Sequence, residues 1–164
     1  MANWDKLINL LEEMVSLYEA ILELSRQKRD ILIAVKPQDL EAVTKQEELL
    51  ILQVGKLEAA RGKLVQQLAA AGGVTAQDIT LAKMKELAGP EAGVRLDKIA
   101  AEFERIMAEL APVNKLNAEL IQQALGFINY NINLLTQSSA GPTYAPQGKT
   151  PQDNQVRKLV DRKI

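Results

Sequence analysis

From Trp4 to Val35 the positions Trp4, Leu7, Leu11, Met14, Tyr18, Ile21, Ser25, Lys28, Leu32 and Val35 alternate in spacing between three and four residues. This is the rhythm of a helix packed lengthwise on another. Ile8, Val15 and Leu22 widen the stripe, which predicts a helix touching two neighbours rather than one. Pro37 disfavours helical geometry at Lys36 yet is tolerated in a first turn, so the chain is expected to reverse at residues 36–38. The rhythm resumes from Gln38 to Ala71 at Leu40, Val43, Glu47, Leu50, Val54, Leu57, Arg61, Leu64, Leu68 and Ala71. In an antiparallel hairpin about Pro37, facing residues have numbers summing to roughly 74 or 75, which puts Lys28 beside Glu47 and Glu13 near Arg61. Such charges either fix the register of the hairpin or reach solvent independently along their aliphatic stems.

Gly72 and Gly73 end the second helix, glycine being the residue that accepts the left-handed position after a helix C-terminus. Thr75 followed by Asp78 resembles a capping box and predicts a short helix from Ala76 to Leu87. Gly89 and Pro90 break it, and Pro90 can open the last helix. That helix carries Leu96, Ile99, Phe103, Ile106, Leu110, Val113, Asn117, Leu120, Ala124, Phe127, Asn131 and Leu134 in unbroken three-four alternation, and could run about 45 residues or ~70 Å. Pro112 is expected to kink it. Residues after Leu135 read as a Ser, Gly, Pro and Gln-rich linker. The final stretch, Asn154 to Ile164, places Val156, Leu159 and Val160 on one face among basic residues and is too short to hold as an isolated helix. The reading is an all-α, elongated antiparallel helical bundle over residues 1–137, with two long hairpin helices, one short helix and one long kinked helix. Residues 138–164 form a flexible linker and a short amphipathic tail.

Composition narrows the function. The chain has 164 residues with no histidine and no cysteine, which removes zinc and haem ligation, thiol nucleophiles, disulfides and Ser/His/Asp triads. There is no phosphate-binding glycine loop. The adjacent pairs Glu12-Glu13 and Glu47-Glu48 point in different directions on a helix and read as solvated faces. No enzyme activity, no cofactor and no metal site are expected. A net charge of −1, from 20 basic and 21 acidic residues, gives no overall field for nucleic acid or an anionic membrane. The basic tail is a small local exception, and a surface-bound amphipathic helix would need it. The apolar run after Lys6 stops at Glu12, short of a signal sequence and of the ~20 residues of a membrane span. A cytoplasmic protein without an integral membrane segment is expected.

The informative stretch runs from Leu120 to Gly148, where no Asp, Glu, Lys or Arg occurs. Beside the seam residues Leu120, Ala124, Phe127 and Leu134 lies a second stripe at Ile121, Leu125, Ile128, Ile132 and Leu135, separated by Gln122, Gln123, Asn129, Asn131 and Asn133. An ordinary solvent face would be charged, whereas broad apolar surface with amide-bearing polar positions marks a partner site. The partner is expected to be an amphipathic helix laid on this face. The competing reading is a structural module that fills both stripes within the bundle or through a homodimer.

Several segments resemble the FlgN family of flagellar export chaperones: Leu17-Tyr-Glu-Ala-Ile-Leu-Glu-Leu-Ser-Arg-Gln-Lys-Arg-Asp-Ile-Leu-Ile33, Asp39-Leu-Glu with Glu47-Glu48-Leu-Leu and Leu57-Glu-Ala-Ala-Arg61, Asn114-Lys-Leu-Asn117 with Leu120-Ile121, and the closing Asp161-Arg-Lys-Ile164. The similarity covers residues 4–135 and the last few, and rests on combination, order and spacing rather than one motif. The resemblance implies a bacterial cytoplasmic bundle that binds the C-terminal helices of the hook-filament junction proteins FlgK and FlgL. It would prevent their premature assembly and deliver them to the export gate protein FlhA. Carried onto this chain, it makes Ile121, Leu125, Ile128, Ile132 and Leu135 the client contacts, with Val156, Leu159 and Val160 from the tail and Tyr130 as the export-gate contact.

Overall fold

The computed structural model describes residues 2–138. Among them are four α-helices and no strand: α1 (Ala2–Ile33), α2 (Pro37–Ala71), α3 (Leu81–Ala88) and α4 (Pro90–Ser138), with a 3-10 turn at Ala76–Asp78. The all-α bundle expected from the periodicity is therefore observed. The linker and the tail, with Val156, Leu159 and Val160, lie outside the described residues. The described residues divide into two units, the first ending at Leu125 and the second beginning at Gly126.

Within the first unit, α1 is central. It runs antiparallel to α2, because Lys28 pairs with Glu47 and Leu50 and Val54 pack against Ile21 and Leu22. It runs parallel to α4, because Glu12 meets Arg95, Glu19 meets Arg105 and Arg26 meets Glu109. The widening residues on α1 face α4, as a two-neighbour helix requires. Ile8 clusters with Leu96 and Ile99, and Leu22 with Ile106 and Leu110. Tyr18 meets Phe103 edge to face, with ring centroids 5.4 Å apart. Arg105, bonded first to Glu19 and also to Glu102 and Glu109, holds its proton more tightly than a free guanidinium.

Four of the polar seam residues, Ser25, Lys28, Glu47 and Asn117, converge in one layer. Lys28 donates to Glu47, and Ser25 Oγ donates to the same carboxylate at 3.4 Å. Asn117 Nδ2 donates to the Ser25 carbonyl at 2.8 Å, while Asn117 Oδ1 is buried with no partner. The layer ties α2, α1 and α4 together.

The structure corrects three expectations. Helix α1 stops at Ile33, and Val35 stands outside it at φ 55°. Lys36 N–H donates to the Ile31 carbonyl and Val35 N–H to that of Leu32, a Schellman closure that needs a left-handed residue after the helix. Gly73 fills that position after α2, with φ 69° and Val74 N–H donating to Ala69. The short helix begins at Leu81 rather than Ala76. The Thr75 hydroxyl bonds the Asp78 side chain at 2.6 Å instead of capping backbone, leaving only the 3-10 turn, and Thr80 Oγ1 accepts from Lys83 N–H as the true cap. Arg61 pairs with Glu58 on its own helix, with Nε to Oε2 at 2.8 Å, and not with Glu13. A neighbour one turn away needs no alignment between helices. This hydrogen bond from Arg61 holds the Glu58 carboxyl below its ordinary range. Pro112 lies inside α4 without ending it.

Candidate protein-binding face

Gly89, at φ 88°, and Pro90 turn the chain from α3 into α4. Up to Asn117 its apolar rows are occupied: Leu96, Ile99, Ile106 and Leu110 are buried against α1. The parallel pairing then exhausts α1. The pairs Glu12–Arg95, Tyr18–Phe103 and Arg26–Glu109, together with the bond between Asn117 and Ser25, place the end of α1 at Ile33 level with the part of α4 between about residues 116 and 125.

Exposure of the apolar rows follows. Leu120 and Ile121 are half-buried, and Ala124 and Leu125 are exposed. In the second unit, Phe127, Ile128, Tyr130, Ile132, Leu134 and Leu135 are exposed, with Ile128 and Ile132 each at 51%. The seam expected at Ala124, Phe127 and Leu134 is thus not buried in the bundle. Asn131 alone of its later members is half-buried, and its Nδ2 donates to the Phe127 carbonyl one turn back. Asn131 thus satisfies its amide within its own helix, while the large apolar side chains around it are exposed.

Of the residues carried over as client contacts, Leu125, Ile128, Ile132 and Leu135 are exposed, and Ile121 is partly covered. Tyr130 is exposed as well. By helical period Ile128 follows Leu110 and Leu135 follows Asn117 by 18 residues, or about five turns. Ile121, Ile128 and Leu135 of the second stripe thus prolong in sequence the core-facing row of Phe103, Leu110 and Asn117, and Leu125 and Ile132 lie beside it. Phe127 and Leu134 broaden the apolar surface on the adjoining side. The arrangement can bind apolar surface, and residues 120–138 carry no charged side chain. Among the described residues no acidic cluster could hold a metal ion, and no helix is long and apolar enough to cross a membrane.

No solved structure matches the chain. The uncharacterized protein YvyG of Bacillus subtilis (strain 168) is 24% identical over 159 residues, covering 96% of each chain. The family model for the FlgN protein matches residues 1–152, which takes in every described helix and the exposed face of α4. The chain belongs to the FlgN family of flagellar export chaperones.

Proposed function

We propose that this chain is a cytoplasmic chaperone that binds the C-terminal helices of the hook-filament junction proteins FlgK and FlgL and delivers them to the export gate protein FlhA. The observation that carries this reading is the exposed, uncharged last part of α4 in a member of an export-chaperone family. Ile121, Leu125, Ile128, Ile132 and Leu135 form the client-binding row, joined by Val156, Leu159 and Val160 from the C-terminal tail. Tyr130 is the export-gate contact. Burying an exposed Ile or Leu contributes roughly 1.5–3 kcal/mol. Leu125, Ile128 and Ile132 are already about half buried, so the row supplies part of that burial per residue toward the ordering cost of a client helix. Client helices with apolar faces would otherwise associate with one another.

The test is co-elution with a C-terminal fragment of FlgK in gel filtration, comparing the full chain with Ile128→Glu. A one-to-one complex that is lost in the folded variant is the expected result. Absence of a complex with both FlgK and FlgL would overturn the reading and leave a self-associating module that uses this same face.

A further inference from the structure

Helix α2 carries a second seam. Beside the row that packs on α1, the positions Leu52, Gly55, Ala59, Gly62 and Gln66 follow the same three-four alternation on another side of the helix. Between Glu48 and Lys56 the helix has no charge, so apolar residues girdle it. Leu50 and Val54 pack on the core, whereas Leu49, Ile51 and Leu52 are 61%, 54% and 64% exposed. A water-facing helix ordinarily keeps charge on the side away from its core, and one that is apolar all round is covered all round.

The outer face is complementary to itself. An added Cβ at Gly55 or Gly62 would meet nothing within 4 Å, so another helix has room to approach. Glu48 and Lys63 flank the apolar part and make no ion pair among the described residues, whereas Glu41 pairs with Lys45 and Glu58 with Arg61. An antiparallel pair of α2 helices with its two-fold axis between positions 55 and 56 sets each Glu48 against Lys63 of the second copy. The same register lays each Leu52 over Ala59 of the second copy, a large side chain over a small one. Because the contact is isologous, both complementarities occur twice.

We infer that the outer face of α2 is a homodimer interface, made by antiparallel pairing through Glu48, Leu52, Gly55, Ala59 and Lys63. Its occupant is a second copy of this chain, and it uses none of the α4 face. The contact is a single helix pair about 24 Å long, smaller than a standard interface of ~800 Å² per partner, so pairing is reversible and grows with concentration.

The chain contains no cysteine, so introduced thiols report neighbours without background. In the proposed register Gly55→Cys lies beside the axis, about one residue from its own copy, while Gln66→Cys lies about 21 residues, or ~30 Å, from its copy. Mild oxidation at high protein concentration should yield about tenfold more covalent dimer from Gly55→Cys than from Gln66→Cys, as expected when the local thiol concentration is set by a specific complex. Mixing Gln66→Cys with Lys45→Cys should restore cross-linking. Equal yields at positions 55 and 66, or none at 55, would overturn the proposal. Sedimentation of the cysteine-free protein is the second measurement. Its mean mass should rise above the 18.1 kDa monomer with concentration, stay at the monomer in Leu52→Glu, and still rise in Ile128→Glu. Loss of the rise in Ile128→Glu but not in Leu52→Glu would assign association to α4 and refute the α2 interface.

Discussion

Lys28 and Glu47 occupy seam positions that an apolar pair would fill with greater stability, and their side chains are only 14% and 13% exposed. Sliding the hairpin by one heptad would bring Lys28 opposite Leu40 or Val54 and leave both charges unpaired in partly buried surroundings, which disfavours every register but one. Ser25 and Asn117 extend the same argument to α4, at the cost of a buried Asn117 oxygen without a partner. Lys28→Met and Glu47→Met should each lower stability by about 1–3 kcal/mol, since each strands the opposite charge. The double variant should lose at least ~1 kcal/mol less than the sum. Thermal melting of the four proteins checks this, and simple additivity would show that the two groups reach solvent independently. The position and spacing of these residues were legible in the sequence, because a charge in an apolar seam stands out. The choice between register pin and independent snorkel was not, since it depends on whether water reaches the pair.

At the scale of the element, the turn between α1 and α2 and the turn after α2 solve one problem with different residues. Both close their helix with a left-handed residue, Val35 in the first and Gly73 in the second. A β-branched residue is strained there, while glycine is not. Val35 is also 82% exposed, so its side chain packs on little that could offset the strain. Val35→Gly is therefore expected to raise stability by about 1 kcal/mol, and Gly73→Val to lower it by a similar amount. Chemical denaturation of both variants measures the pair of effects. Spacing alone had counted Val35 as the last seam residue of its helix, because periodicity records side-chain intervals and not φ. The same limit explains α3: two threonines each stand three residues before a potential partner, and only Thr80 turns its oxygen to a backbone N–H.

For the whole molecule, stability and binding are carried by different stretches of one helix. Ile106 is fully buried in the cluster of α1, α2 and α4 residues around Leu22, and Ile128 is half exposed. Ile106→Ala should cost about 2–5 kcal/mol, whereas Ile128→Glu should stay within roughly 0.5 kcal/mol of the parent. Melting curves of the two variants, recorded beside client co-elution, separate the two roles. Loss of fold in Ile128→Glu would mean that the exposed row supports the bundle and is not reserved for a partner.

The sequence by itself determined the helical class, the two faces of α1, the antiparallel hairpin with Lys28 against Glu47, and the uncharged character of the end of α4. These follow from spacing, proline placement and the distribution of charge, all of which act over a few residues. Only the tertiary structure decided where burial stops. Leu110 and Ile128 look alike in a one-dimensional pattern, but Leu110 packs with Ile21 and Leu22 of α1, whereas Ile128 is half exposed. Burial is a property of two surfaces, so the length of a neighbouring helix, not the residue's own hydrophobicity, separates core from candidate binding face.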